Sequence, residues 1–98
     1  MPAADRIHPE DIDALMARVT FINDVAPNNT TSTFVHAFLD GQFHLASGHS
    51  ACVSKANFDP EIGLDIARRD AKAKAIAKLW ELEGYALYRS THPAGVPA

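Results

Sequence analysis

The sequence has a single cysteine, Cys52, so it offers neither a disulfide framework nor a thiolate metal cage. It has no stretch approaching the roughly 20 apolar residues of a membrane span, and no basic-then-apolar start of the kind that directs export. A cytoplasmic location is the expectation. The pair of Asn-X-Thr triplets in Asn28–Thr31 then reads as a polar loop. There is no glycine-rich phosphate loop: Gly48 and Gly63 stand alone. There is also no basic excess. A net charge of −3 argues against general DNA or RNA binding, which needs a broad basic face.

What is present suits one small folded unit. An apolar share of 47% and a charged share of 21% across 98 residues are ordinary for one hydrophobic core, so residues 1–98 are expected to form a single domain. The ends, 1–6 and 93–98, mix small residues with proline and carry no apolar period, so they are expected to be loose. Five of the nine basic residues fall between Arg68 and Lys78, a cluster compact enough to hold one or two phosphates.

The pattern predicts an α+β fold. A first helix over about 9–19 starts with Pro9, which fits the first helical position, followed by Glu10 and Asp11 at the positive helix end. Ile7 and Ile12 have the spacing of a hydrophobic staple, and Ile12, Leu15, Met16 and Val19 make one stripe. Asp40-Gly41, between Ser32–Leu39 and Gln42–Ser47, is a strong hairpin signal for a small antiparallel sheet. A two-residue turn there pairs Phe38 with Phe43 and His36 with Leu45, and puts His36 and His44 on opposite faces. Neither face is clearly polar, so both are expected to be covered.

Asp59-Pro60-Glu61 opens a second helix, expected over about 60–83 with Gly84 as its C-terminal cap and Tyr85–Arg89 as a last strand. This helix has two apolar faces. Ile62, Ile66, Ala73, Ile76 and Trp80 fall on one side; Leu64, Ala67, Ala71, Ala75, Leu79 and Leu82 fall nearly opposite. A monomer needs only one such stripe. The expectation is that one packs on the sheet while the alanine stripe meets the first helix or another copy of the chain.

Catalytic residues are scarce. An enzyme needs a nucleophile, an acid–base pair or a metal in mutual reach. Separated histidines, a lone Cys52 beside His49, and helix acids pointing to different sides do not supply one, so no catalytic residue, metal or cofactor is assigned and the chain is not expected to be an enzyme. A thiol hydrolase would require His49 and Cys52 to be adjacent. The more informative run is Asn57-Phe58-Asp59, an amide, a ring and a carboxylate at a helix start, with Arg69 and Lys74 downstream. A nucleotide would use such a set: a ring to stack on, acceptors for ribose or an exocyclic amine, and cations for phosphates. The plain structural reading is that Asp59 caps, Asn57 bonds its own turn, Phe58 packs and the bases pair with helix acids.

Several runs, Ser50-Ala51-Cys52-Val53, Asn57 to Gly63, Ala67 to Ala71 and Leu79-Trp80-Glu81-Leu82-Glu83-Gly84-Tyr85, resemble a family of small tailed-phage proteins known from phages N-four and Sf-six. The resemblance covers residues 9–89, and its Trp-Glu-Leu-Glu-Gly-Tyr ending is specific. The chain also resembles the type-one anti-Thoeris sponge, a homo-oligomer that sequesters cyclic ADP-ribose isomers made by TIR-domain proteins, with related forms taking up cyclic oligonucleotides. That resemblance implies a counter-defence protein that binds a small cyclic nucleotide without cleaving it, and self-association. It also implies a site at Asn57 and Asp59, with Phe58, Arg69 and Lys74 around it. Gly48-His49-Ser50 departs from the pattern, which has an acid between the glycine and the serine. The rival reading is a protein–protein interaction or inhibitor module with no small ligand.

Overall fold

The computed structural model describes residues 6–92. The expected loose ends lie outside them, Arg6 excepted. Helix α1 spans Pro9–Met16, strands β1, β2 and β3 span Val19–Val25, Ser32–Leu39 and Phe43–Ala51, and helix α2 spans Pro60–Thr91. Short 3-10 turns at Pro27–Asn29 and Lys55–Asn57 lead into β2 and α2. The strands form an antiparallel meander in the order β1-β2-β3. The expected α+β fold, with its small antiparallel sheet and two helices, is what the chain adopts.

Helix α1 begins as its sequence dictates. The His8 amide donates to Asp11 Oδ2 at 3.0 Å and the Asp11 amide to the His8 carbonyl at 2.9 Å, closing the first turn. Ile7 packs against the cluster that buries Ile12. The helix stops at Met16, earlier than expected, because Val19 already belongs to β1, whose seven residues pair along β2 from Val19–Leu39 to Val25–Thr33.

Asp40 and Gly41 take the positive φ values, 55° and 70°, that the hairpin signal implied. The loop is one residue longer than a two-residue turn, however: Leu39 pairs with Phe43 and Phe38 with His44. The register then shifts, so that Ala37 faces Ala46 and His36 faces Ser47, leaving Leu45 as the extra residue of a bulge. The longer loop alone overturns the expected facing of the histidines, since it sets His44 opposite Phe38. His36 and His44 lie on the same face, where His36 Nδ1 and His44 Nε2 stand 2.7 and 2.9 Å from the Ser47 hydroxyl.

Only one face of the sheet is covered by the described residues, contrary to expectation. Thr33, Val35, Ala37, Leu45 and Gly48 are buried beneath α2. Phe34, His36, Phe38, His44, Ser47 and His49 make the other face, half-buried to exposed, with Phe34 stacked on His49 at 4.6 Å between centroids. The Arg18 guanidinium clamps the hairpin to β1 by gripping both Asp40 carboxylate oxygens, at 2.9 and 2.6 Å, and so holds that carboxyl below its ordinary range.

Helix α2 runs 32 residues, about 48 Å at 1.5 Å per residue. It passes straight through Gly84, and Tyr85–Arg89 are helical rather than a strand. Residues 79–89 contain no β-branched side chain and are rich in Leu, Glu and Ala. Continuing an established helix through one glycine costs only about 1 kcal/mol, far less than starting a new element. The rod gives the molecule extents of 57 × 27 × 20 Å and a radius of gyration of 17.3 Å, against about 13 Å for a compact chain of this length.

The two stripes exist, but the alanine stripe is the one that packs on the sheet; it meets the first helix as expected only at its far end, where Ala75 and Leu79 share a cluster with Ile12. Ala67, Ala71 and Ala75 are fully buried on the sheet, and Leu79 nearly so. The partner that allows this is Gly48: a Cβ there would run into the backbone of Ala67 and lie 2.9 Å from Ala71 Cα. Small residues on both elements bring helix and strand into backbone contact. Ile62, Ile66 and Trp80, on the other stripe, remain 59%, 44% and 39% exposed.

Candidate functional site

The start of α2 is fixed by Asp59, whose Oδ1 accepts from the Glu61 and Ile62 amides at 3.0 and 3.5 Å, with Pro60 in the first helical position. The preceding 3-10 turn carries Asn57 at its end, its amide bonded to the Ser54 carbonyl at 3.1 Å. On the other side, the end of β3 is tied down. The Cys52 amide donates to the Thr31 carbonyl at 3.2 Å, and the Thr31 hydroxyl donates to the Cys52 carbonyl. The Ser50 hydroxyl donates to the Gly63 carbonyl at 2.7 Å, joining the strand end to the first turn of α2.

Between these walls lies a recess of about 400 Å³. Asn57, Phe58 and Asp59 line it on one side, Thr31, Ser50 and Cys52 on another, and Ile62, Gly63 and Ile66 along the helix. Gly63 lets the strand approach. A Cβ at that position would stand 3.2 Å from Thr33 Oγ1 and 3.3 Å from Ser50 Oγ. Thr33 Oγ1 is fully buried there without a hydrogen-bond partner.

Three of the five residues singled out from the sequence, Asn57, Phe58 and Asp59, therefore come together. Arg69 and Lys74 do not join them. They lie ten and fifteen residues beyond Asp59, about 15 and 22 Å along a rigid helix. Each pairs one turn back instead, Arg69 with Asp65 at 2.6 Å and Lys74 with Asp70 at 2.9 Å. Asp70 also accepts from the His49 amide at 3.1 Å, and the Lys74 bond first, then this one, lowers its pKa below the ordinary 3.8.

Sequence reasoning missed Thr31, Ser50, Cys52, Ile62, Gly63 and Ile66 as lining residues. Ser50 had a signal, since alternate residues of a strand share a face and it follows Gly48 on the side turned to α2. Gly63 had one as well, a helix-interior glycine beside a cap. The pairing that a thiol hydrolase would require is not formed. Cys52 Sγ donates to the Ser54 carbonyl at 3.1 Å, while His49 stacks on Phe34 on the far face of the sheet. Among the described residues no group of three or more His, Cys, Asp or Glu side chains is arranged to hold a metal ion, and no helix is long and apolar enough to cross a membrane.

Fold and recess together define a small α+β protein in which one long helix roofs a three-stranded meander and opens a ligand-sized hollow at its own start. The family model of the phage protein (N4 Gp49/phage Sf6 gene 66) family matches residues 7–91, and the chain belongs to that family. No curated protein and no solved structure matches it.

Proposed function

We propose that this phage-family protein binds and sequesters a small cyclic nucleotide signal, a cyclic ADP-ribose isomer or a cyclic oligonucleotide, and holds it without cleaving it. The observation that carries this reading is the meeting of Asn57, Phe58 and Asp59 in one recess of about 400 Å³, within the size range of small-molecule sites. Phe58, Ile62 and Ile66 give a base an apolar surface to lie against. Asp59 uses only Oδ1 for the cap, which leaves Oδ2 to accept from a ribose hydroxyl or an exocyclic amine. The Asn57 amide and the Thr31 and Ser50 hydroxyls add further polar groups. Lys74, paired with Asp70 about two turns beyond Ile66, lies out of reach of a ligand seated there, and Arg69, one turn beyond Ile66, is held by Asp65. Mass action is then the whole mechanism: stoichiometric protein lowers the free signal, and slow release matters more than turnover.

Calorimetry against cyclic ADP-ribose isomers and cyclic dinucleotides tests the reading. One ligand should bind stoichiometrically, and heating the complex should return it intact. Phe58→Ala should weaken binding about tenfold or more, in line with the loss of one base-stacking contact, and Lys74→Glu should leave it unchanged. Absence of binding across the panel, or a cleaved product, refutes it. A protein–protein module with no small ligand is the second reading, favoured by the uncovered Ile62, Ile66 and Trp80; it predicts no heat with any nucleotide.

A further inference from the structure

Strand β1 is an edge of the sheet, and α2 lies over β2 and β3 far more than over it. In an antiparallel pair, residues alternate between those bonded to the neighbouring strand and those turned away from it. Two bonds fix the phase here. The Asp40 amide donates to the Arg18 carbonyl at 3.0 Å, and the Ala26 amide to the Ser32 carbonyl at 2.8 Å. Thr20, Ile22 and Asp24 therefore bond to β2. Val19, Phe21, Asn23 and Val25 turn their amides and carbonyls outward, where no described residue meets them. The opposite edge is interrupted: β3 carries the bulge at Leu45, and its His49 amide donates to Asp70 of α2 at 3.1 Å. Strand β1 has neither device. Its seven residues keep one register along β2 and include no proline or lysine, so its free edge is a template for one more strand.

The groups beside that edge say what the strand carries. The Arg68 guanidinium reaches from α2 over the Phe21 ring of β1, 5.0 Å from its centroid. Stacked on a ring, a guanidinium still has its N–H groups free to donate in its own plane. Lys72, one turn on, lies on the same side of the helix. Among the described residues neither has a carboxylate at ion-pair distance, unlike Arg69, Lys74 and Lys78. In an added strand, the residue opposite Phe21 and those two places before and after it stand on this basic side. The residues between them stand on the open face, beside Ile22, which is 53% exposed. Acidic and apolar residues in alternation meet both surroundings. A second copy of β1 does not. Paired antiparallel, it brings its own Arg68 and Lys72 to the same side of the seam, like charge against like.

We infer that β1 docks an extended peptide segment of another protein as a fourth strand, acidic at alternate positions and apolar between them. The edge shares no residue with the lining of the recess, so the inference stands whatever the recess holds.

Fluorescence anisotropy of the full chain with a short labelled peptide alternating glutamate and valine tests it. The peptide should bind, and its lysine–valine counterpart should bind at least about tenfold more weakly. Hydrogen exchange should show the Phe21 and Asn23 amides fast in the free chain and slowed by the peptide, with those of Ile22 and Asp24 slow in both. Asn23→Pro removes an outward amide and no bond of the sheet, so circular dichroism should still show the fold while affinity falls about tenfold or more. Arg68→Glu should weaken the glutamate peptide and strengthen the lysine one. No binding of the glutamate peptide overturns the inference, as does equal affinity for the two peptides or binding that leaves the four exchange rates unchanged. A dimer of the full chain that Asn23→Pro dissolves gives the edge to a second copy, and overturns it too.

Discussion

Along α2, the side that packs on the sheet is built of Gly63, Ala67, Ala71 and Ala75 before it reaches Leu79, whereas the side turned away carries Ile62, Ile66 and Trp80. Ranked by side-chain size, the burial is inverted. What decides it is distance. Gly48 removes the one side chain that would hold strand and helix apart, and the alanines then bury completely, backbone against backbone. Large residues on that face would force the helix away from β3. The hydrophobic effect rewards the area taken from water, and a close fit of small groups can take more of it than a loose fit of large ones.

The contrast can be broken at Gly48. Gly48→Ala places a methyl inside the backbone of Ala67, which cannot move without the whole helix, so a loss of at least about 3 kcal/mol is expected. Thermal melting should show it as a fall in Tm on the order of 15 °C. A melt within a few degrees of wild type would mean that helix and strand are not in contact there.

Truncating one residue on each side sharpens it. Leu79→Ala empties a site that is 2% exposed and should cost about 2–5 kcal/mol. Ile62→Ala, on the outward side, should cost under about 1 kcal/mol in chemical denaturation of the same chain. Equal losses would show that the two sides are not distinct.

The smallest effect is at the edge of the helix. Asp70 binds Lys74 and the His49 amide, and its pKa is lowered, so its charged form is favoured by folding. Its contribution is therefore fully present above the ordinary value of 3.8 and is lost as pH falls through the lowered one. Melting curves of wild type and Asp70→Asn should differ modestly at neutral pH. They should converge once the carboxylate is protonated in acid.

Features that depend on a few neighbouring residues were legible in the sequence. The start of α1, the positive-φ hairpin pair Asp40-Gly41, the Asp59 cap and both stripes of α2 rest on local chemistry. So does the grouping of Asn57, Phe58 and Asp59, three consecutive residues at a helix start. What was not legible depends on a second element. Which stripe meets the sheet follows from Gly48, in a strand whose partner helix begins twelve residues later. The facing of His36 and His44 follows from the one extra residue in the hairpin loop, which sets His44 opposite Phe38. Arg69 and Lys74 stand outside the lining because a straight helix carries them one to two turns past Ile66, where each pairs with a helix acid. Gly84 looked like an ending, but a helix already under way passes through it.

The bridge on the open face of the sheet has a chemical consequence of its own. A hydroxyl has one hydrogen to give, so between two neutral imidazoles Ser47 donates to one ring nitrogen and receives from the other. The nitrogens that face it are Nδ1 of His36 and Nε2 of His44. If Ser47 donates to His36, both rings carry their hydrogen on Nε2; if it donates to His44, both carry it on Nδ1. Two side chains eight residues apart are thereby obliged to adopt the same tautomer.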